Sequence, residues 1–137
     1  MPAASFKDRV LIRELYGRYA LGAASKDTDI WIGCWAEEGV WKTPHFETGG
    51  RPALREQWAA TWTNFANVAA FVEVGDIHVS ADAAQAISSV YEIISLAAGG
   101  TLKMAGLYRD AFVREGGEWR FARREYELLS EEMTPPA

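Results

Sequence analysis

The sequence has little of the chemistry that marks disulfide-bonded, metal-binding or redox proteins. It contains 1 cysteine, so no disulfide can form within the chain. We expect Cys34 to be a small buried hydrophobic residue, since a nucleophilic cysteine needs a neighbouring histidine and a lowered pKa. The 2 histidines, His45 and His78, lie far apart and lack H-x-x-x-H spacing. Neither a metal site nor a cofactor is therefore expected.

Positive charge and long apolar runs are also scarce. The chain has 14 Lys and Arg against 19 Asp and Glu, a net charge of −5, and no dense basic cluster, which argues against a nucleic-acid partner. No segment approaches the roughly 18 continuous apolar residues of a membrane span. The N-terminal stretch lacks the apolar core of a signal peptide. These absences predict a cytoplasmic protein with no membrane partner.

The length and the helical patterns indicate one domain that begins with helices. A chain of 137 residues is long enough to bury about two-thirds of its unfolded surface. We expect a single domain over residues 1–137, with a loosely ordered tail from about residue 130. Apolar residues at three-to-four spacing predict an amphipathic helix from about Ser5 to Ala24. Asp27 or Thr28 is expected to cap a second, shorter helix, which Gly39 ends.

The rest of the chain reads mainly as strands. A third helix is predicted to begin at Pro52, after a short strand at Val40–Thr43 and a loop. Beyond Asn67 the apolar pattern alternates, which predicts strands at about 68–80, 84–97, 102–114 and 118–129. Helices followed by an antiparallel meander are typical of an α+β domain.

Three stretches of the chain resemble a known family. They are I-R-E-L-Y-G-R-Y-A-L-G-A-A-S-K-D, F-V-E-V-G-D-I-H-V-S-A-D and G-L-Y-R-D-A-F-V-R-E-G-G-E-W-R-F-A-R-R. Together they resemble the SnoaL-like branch of the nuclear-transport-factor-2-like superfamily, with scytalone dehydratase, ketosteroid isomerase and dehydrochlorinases as relatives. The resemblance covers roughly Val10 to Leu129. It implies a cone-shaped, curved antiparallel sheet around a long N-terminal helix and two shorter helices, enclosing a pocket.

The resemblance also points to a missing pair of catalytic residues. In the lyases and dehydratases of that superfamily, an Asp late in the first helix works with a His that opens a middle strand. The matching positions here are Ala24 and Ala70. General acid/base catalysis is worth about 10²–10⁴-fold, so their replacement argues against a standard Asp–His dehydratase.

Three other side chains are candidates to replace that pair. Asp27 lies about one helical turn beyond Ala24, but helix capping accounts for it. His45 lies in a loop at the expected pocket rim, which suits an active-site position. His78 alternates with two apolar neighbours, and the pattern leaves open which sheet face it occupies. We therefore favour His45 as the replacement.

Comparison with the superfamily implies three polar residues in the pocket. Tyr108 and Arg124 match cavity-facing positions of the dehydrochlorinases, and as paired donors they could stabilise developing negative charge. Tyr19 matches the tyrosine of the pattern Y-x-x-x-x-D, where it could act as a proton donor. Each also has a structural explanation. The tyrosines could be core aromatics, and Arg124 could form an ion pair with Glu92, Asp110 or Glu127.

Strand alternation extends the candidate pocket. Met104 and Asp110 share a face with Tyr108, and Tyr126 shares a face with Arg124, so all three added residues are expected to bind substrate. On the last strand the same rule places Arg120 and Ala122 with Arg124. It places Trp119 and Phe121 on the opposite face.

The chain has 6 tryptophans, a heavy load for its length. Trp31, Trp41, Trp58 and Trp62 are expected to converge on the pocket and to suit a flat apolar ligand. The competing explanation for Trp58 and Trp62 is a dimer face, where tryptophan is also enriched.

Two kinds of function fit these patterns. The favoured one is a cofactor-free lyase or isomerase for a hydrophobic aromatic or polycyclic small molecule, acting through an enolate- or quinone-methide-like intermediate. The alternative is a non-catalytic ligand-binding domain or a small accessory subunit of an oxygenase-type complex. A homo-oligomer, dimer or trimer, is expected through the outer sheet face. The residues proposed for that face are Ile87 or Val90, Ile93 or Ile94, Leu107 and Val113.

Overall fold

The computed structural model describes residues 2–137 as an α+β arrangement of helices and one curved, unclosed sheet. The helices are α1 (Pro2–Ser25), α2 (Thr28–Gly33) and α3 (Arg51–Asn64). The strands are β1 (Trp35–Lys42), β2 (Glu47–Gly49), β3 (Phe65–Ser80), β4 (Ala83–Leu96), β5 (Thr101–Glu115) and β6 (Glu118–Thr134). They are ordered β2-β1-β6-β5-β4-β3, and α1 packs against β3 and β6. The predicted α+β class is confirmed.

The first helix forms where the apolar spacing predicts it. Ile12, Leu15 and Tyr16 are buried in the core and lie within about one turn of each other, at the i, i+3 and i+4 positions of one face. The helix ends because Lys26 adopts a positive φ of 57°, while the Asp27 N–H donates to the carbonyl of Gly22, as in a Schellman motif.

A sharp corner joins the first two helices and sends Trp31 into the core. Asp27 is the N-cap of α2, and its Oδ1 accepts a hydrogen bond from the Ile30 backbone N–H at 3.1 Å. The capping prediction for Asp27 is thus confirmed. Trp31 follows one residue later and is almost fully buried.

The prediction that Gly39 ends the second helix is wrong. That helix ends at Gly33, and Gly39 lies inside β1. The glycine is needed there because a Cβ would lie 2.8 Å from Cε3 of Trp35 and 3.2 Å from the carbonyl oxygen of Phe121. The cause of the error is that the apolar spacing before Gly39 suits either a helix or a buried strand. Pairing with β6 decides for the strand.

The last strand is longer than the sequence suggested, and the sheet is mixed. Thr134 of β6 pairs with Thr101 of β5, so the tail predicted to loosen from about residue 130 is paired strand up to Thr134. In this register Lys103 lies opposite Glu132. In addition, β1 runs parallel to β6. The sheet is therefore mixed, whereas a wholly antiparallel sheet was expected.

A β-bulge in β6 changes which side chains face inward. Ala111 pairs with Arg123 and Phe112 pairs with Phe121, which leaves Ala122 as an extra residue. As a result both Phe121 and Arg124 are buried on the concave side. The expectation that Trp119 and Phe121 oppose Arg124 is therefore wrong, because strict alternation does not survive a bulge.

A second irregularity, between Ala105 and Gly106, brings β5 very close to β6. A Cβ at Gly106 would lie 2.5 Å from the carbonyl oxygen of Glu127 and 2.5 Å from the hydroxyl of Tyr126. Because one of these atoms is backbone, a larger residue forces the strands apart.

Gly106→Ala is therefore expected to lower the free energy of unfolding by about 1–3 kcal/mol, measured by urea denaturation. The matched control is Gly17→Ala, in α1, where an added Cβ meets nothing within 4 Å. This control should stabilise the protein by roughly 0.5–1 kcal/mol, because alanine is the better helix former. A Gly106→Ala variant as stable as the parent protein would contradict the close approach of the strands.

The outer face of the sheet carries exposed apolar side chains. Of the alternatives left open by the sequence, Ile87 and Ile93 point outward, whereas Val90 and Ile94 are buried inside. Assembly through this face stays a prediction. Among residues 2–137, no helix combines the length and apolar character that crossing a membrane would need.

Candidate active site

A cavity of about 280 Å³ lies between α1, α3 and the concave face of the sheet. Its wall is mainly aromatic and aliphatic, as in most small-molecule sites. The apolar lining residues are Trp31, Trp41, Phe46, Trp58, Trp62, Phe65, Val68, Val72, Val90, Ile94, Met104 and Leu128. The segment 43–46, between β1 and β2, contributes to the same lining.

The four tryptophans proposed for the pocket all line this cavity. Trp31 stacks on Trp58 with ring centroids 4.5 Å apart, and Trp58 meets Trp62 edge-on at 5.2 Å. The Trp58 indole N–H donates to Oγ1 of Thr28 at 2.9 Å, which fixes the stacked pair. The Nε1 of Trp62 is buried and has no hydrogen-bond partner among the described residues. The tryptophans therefore provide a flat apolar wall with one unused donor.

Arg124 places a fixed positive charge at the cavity wall. Its side chain is 2 % exposed and is held by Asp110 through two bonds, Nε to Oδ1 at 2.8 Å and Nη2 to Oδ2 at 3.1 Å. Its guanidinium carbon lies 3.8 Å from the ring centroid of Tyr108. Although burial disfavours the charged form, the negative charge of Asp110 keeps the pKa of Arg124 above its ordinary value.

Asp110 supports Arg124 from behind and does not line the cavity. Its Oδ2 accepts hydrogen bonds from the Tyr16 hydroxyl at 2.5 Å and from Oγ of Ser88 at 3.3 Å. Asp110 is therefore placed to act through Arg124, and its predicted contact with substrate stays a prediction. The residue is on the expected face, but the guanidinium of Arg124 engages it there.

Three tyrosines of the cavity wall carry hydroxyl groups that stay protonated. Tyr108 accepts a hydrogen bond from Nε1 of Trp41 at 3.2 Å, which leaves its own O–H free to donate. Burial raises the pKa of Tyr108 and of Tyr19 well above 10, and it raises the pKa of Tyr126 to about 12. The Tyr126 hydroxyl is buried without a hydrogen-bond partner among the described residues. These groups are donors rather than bases near neutral pH.

The first helix brings no carboxylate to the cavity. Ala24, matched by resemblance to the missing Asp, is exposed and does not line the cavity. Its neighbour Ala23 and also Ala20 line it instead. The match of Ala24 to the Asp position stays a prediction. Ala70 of β3, matched to the missing His, does line the cavity.

The two histidines lie in different places. His45 is exposed and lines the cavity from the segment between β1 and β2, where its backbone N–H donates to Oγ1 of Thr43 at 3.1 Å. His78 is exposed, pairs with Gln85, and lies away from this cavity, on the outer face of the sheet. The sequence preference for His45 over His78 agrees with these positions.

Sequence reasoning missed Glu92 as a candidate. It lies on β4 between Ala70 of β3 and Met104 of β5, lines the cavity, and makes no hydrogen bond to any described residue. Burial raises the pKa of its carboxyl group, and the charge of Arg124 opposes this only in part. The available signal was alternation, since Val90 and Ile94 share its face and make it the one charged residue in an apolar row.

Other reactive chemistry is absent from the described part of the chain. Cys34 is fully buried, its Sγ donates to the carbonyl of Ile30 at 3.4 Å, and burial raises its pKa to about 11. It therefore remains a protonated thiol, as its prediction as a buried hydrophobic residue implies. Among residues 2–137, no group of 3 His, Cys, Asp or Glu side chains could hold a metal ion.

Comparison with known proteins identifies relatives of this arrangement. A family model described as the SnoaL-like domain matches residues 4–125. No curated protein matches the sequence. A type 2 hexachlorocyclohexane dehydrochlorinase superposes with a TM-score of 0.87 and 16% identity, over 97% of this chain and 93% of that one. A candidate scytalone dehydratase from Novosphingobium aromaticivorans gives 0.88 and 20%, over 99% and 97%.

A third solved structure has the highest identity of these three. It is Rv3472, a protein of unknown function from Mycobacterium tuberculosis, with 27% identity, a TM-score of 0.79, and coverage of 94% of this chain and 76% of that one. At 16% and 20% identity, the dehydrochlorinase and dehydratase structures bear on the fold alone.

Proposed function

The chain belongs to the SnoaL-like domain family of the nuclear-transport-factor-2-like superfamily, and from its cavity we propose that it is a lyase or isomerase of hydrophobic aromatic molecules. The reaction would proceed without a cofactor, through an enolate- or quinone-methide-like intermediate. The observation that carries the proposal is the pairing of a tyrosine hydroxyl with a buried, fixed guanidinium at one wall of an apolar cavity.

The roles of this pair follow from their hydrogen bonds. Trp41 occupies an acceptor site of the Tyr108 oxygen, so the tyrosine can direct its O–H to a substrate oxygen. Asp110 engages Nε and Nη2 of Arg124, which leaves Nη1 available to the same oxygen. Donors held in place before the reaction stabilise a developing oxyanion without reorganising, and in a cavity poor in water they act strongly. Tyr19 and Tyr126 add further donors for a leaving hydroxyl group.

The size and lining of the cavity support a small, flat substrate. Its volume of about 280 Å³ lies just below the range of roughly 300–1,000 Å³ that ligand sites usually span. Trp31 and Trp58 offer stacked indole faces, while Trp62 offers an unpaired N–H for a polar substituent. An aromatic molecule of one or two fused rings with a carbonyl or hydroxyl group fits this combination better than a larger polycycle.

An accessory or purely structural subunit is less well supported. A domain without a ligand would be expected to fill the space with side chains, whereas this one keeps an open cavity lined by unpaired polar atoms. Buried polar atoms without partners are costly, so the free indole N–H of Trp62 and the free hydroxyl of Tyr126, both on residues that line the cavity, favour a bound ligand that satisfies them.

A mass-spectrometric screen tests the proposal directly. Purified protein without added cofactor is incubated with hydroxylated one- and two-ring aromatic ketones, and products are compared with a heat-denatured control. Loss of water, loss of a small aldehyde or an isomer of unchanged mass is expected for at least one compound. Binding of several compounds, followed by tryptophan fluorescence, with no turnover of any would overturn the enzymatic role and favour a ligand-binding domain.

A further inference from the structure

The cavity holds donors for an oxyanion but lacks a base at both positions that the family resemblance marks, since these carry alanine. Among the described residues that line it, Glu92 supplies the one carboxylate. We propose that Glu92 is the general base of this site and removes a proton from a substrate carbon next to a carbonyl group. This inference rests on the proposed function and narrows its substrates to carbon acids.

The strand register supports a base at this position. Ala70, Glu92 and Met104 form one row across β3, β4 and β5. Neighbouring strands lie about 4.8 Å apart, so Glu92 extends into the cavity one strand away from the position of the missing histidine. The methyl group of Ala70 is too small to cover it. Glu92 of β4, beside Ala70 of β3, would thus supply the base that the family resemblance places at the histidine position.

The surroundings of Glu92 raise the pKa of its carboxyl group above the ordinary value for glutamate. The titratable groups that line the same cavity are Tyr16 and Tyr19 from α1, His45 beside β1, Tyr108 from β5, and Arg124 and Tyr126 from β6. Burial keeps the tyrosines protonated, and Asp110 balances the charge of Arg124. The lining residues of β3 and α3 add no titratable side chain.

The energetic state of the carboxylate suits proton abstraction. It makes no hydrogen bond to a described residue, and its burial raises its pKa toward the range in which a base works best. A carboxylate stabilised by several hydrogen bonds would be a weaker base. Because no partner is lost on substitution, Glu92→Gln should preserve the fold.

The proposed step balances in electrons and protons. The proton moves from the carbon to a carboxylate oxygen of Glu92, and the C–H electron pair forms a carbon–carbon double bond. The carbonyl electron pair moves onto oxygen, where Tyr108 and Arg124 hold the enolate. Return of the proton to a different carbon gives an isomer. Departure of a β-substituent with its bonding pair, as the carbonyl re-forms, gives an elimination product.

A probe that needs only a base tests Glu92 independently of the natural substrate. In 5-nitrobenzisoxazole, removal of the C3 proton breaks the ring N–O bond and releases a coloured cyanophenolate. We expect the wild-type protein to accelerate this release, and Glu92→Gln to lose roughly 10²-fold or more of the acceleration. The matched control is Glu73→Gln, an exposed acid on the adjacent strand β3, which should retain the wild-type rate.

The pH profile separates a base from a structural residue. The wild-type rate should rise with pH through a pKa above that of an ordinary glutamate, and this limb should vanish in Glu92→Gln. Thermal melting and tryptophan quenching by the probe verify that the variant folds and binds. A Glu92→Gln rate equal to the wild-type rate, or no wild-type acceleration at saturating probe, overturns the proposal.

The outcomes also distinguish this proposal from the proposed function. If no aromatic ketone is converted but release from the probe depends on Glu92, the lyase or isomerase assignment fails and the base stands. If a ketone is converted equally well by wild type and Glu92→Gln, the assignment stands and the base is refuted.

Discussion

Replacing Asp110 by alanine is expected to lower the free energy of unfolding by about 3–5 kcal/mol. The substitution leaves the guanidinium of Arg124, which is 2 % exposed, without its bidentate partner. It also removes the acceptor of the Tyr16 and Ser88 hydroxyls. A buried charge without a partner costs far more than the ion pair contributes in the intact protein, and chemical denaturation measures this loss.

The control for Asp110→Ala is an ion pair of similar length on the surface. Glu127 contacts Arg109 at 2.6 Å, but both side chains are about half exposed. Glu127→Ala should therefore cost less than about 1 kcal/mol. The double variant Asp110→Ala, Arg124→Met should recover part of the stability, because it also removes the buried charge that the single variant leaves without a partner. Equal losses in Asp110→Ala and Glu127→Ala would show that Arg124 is not isolated from solvent.

Replacing Tyr108 by phenylalanine is expected to reduce kcat about 10²–10³-fold on a substrate found by the screen. The ring stays against Arg124, so the apolar surface and KM should change little. Only the hydroxyl that would donate to the oxyanion is lost, and the transition state depends on it more than the bound substrate does. Steady-state kinetics with both parameters measured separately is the appropriate experiment.

The control for Tyr108→Phe is the same substitution on the other side of the sheet. Tyr91 is 42% exposed on β4 and does not line the cavity, so Tyr91→Phe should keep the parent kcat. Because Trp41 loses the acceptor of its indole N–H, Tyr108→Phe should also lose some stability. A change in KM with constant kcat would contradict the oxyanion role and indicate ground-state binding.

Much of the fold was accessible from the sequence because its signals are local. The core face of α1 follows from helical spacing, and the four long strands follow from alternation between turns. The path of β1 was not accessible in this way. Trp35 pairs with Phe121 of β6, far away in sequence, and only that pairing turns an ambiguous apolar run into a strand.

The residues of the candidate site also differ in whether the sequence alone could identify them. Tyr108 and Arg124 were identified through the family resemblance and the tryptophans through their number and placement, and all of them line one cavity. The position of Asp110 behind Arg124 could not be predicted, because alternation gives the face of a strand and not the depth of a side chain beneath its neighbours. Glu92 was missed because it becomes a candidate base only through its position opposite Ala70. The sequence of one strand does not determine its register with the next.

The extra residue at Ala122 lies between two parts of β6, one that packs in the hydrophobic core and one that lines the cavity. Before it, Trp119 and Phe121 fill the hydrophobic interior, and after it Arg124 and Tyr126 furnish the cavity. What matters at this position is the count of residues and not the identity of the side chain. Deleting Ala122 would remove the bulge and put Arg124 two residues after Phe121, so regular alternation would keep Arg124 and Tyr126 on the concave side. What the extra residue adds is therefore the local bend and stronger twist of a bulged strand, a property set by the number of residues that no single substitution can alter.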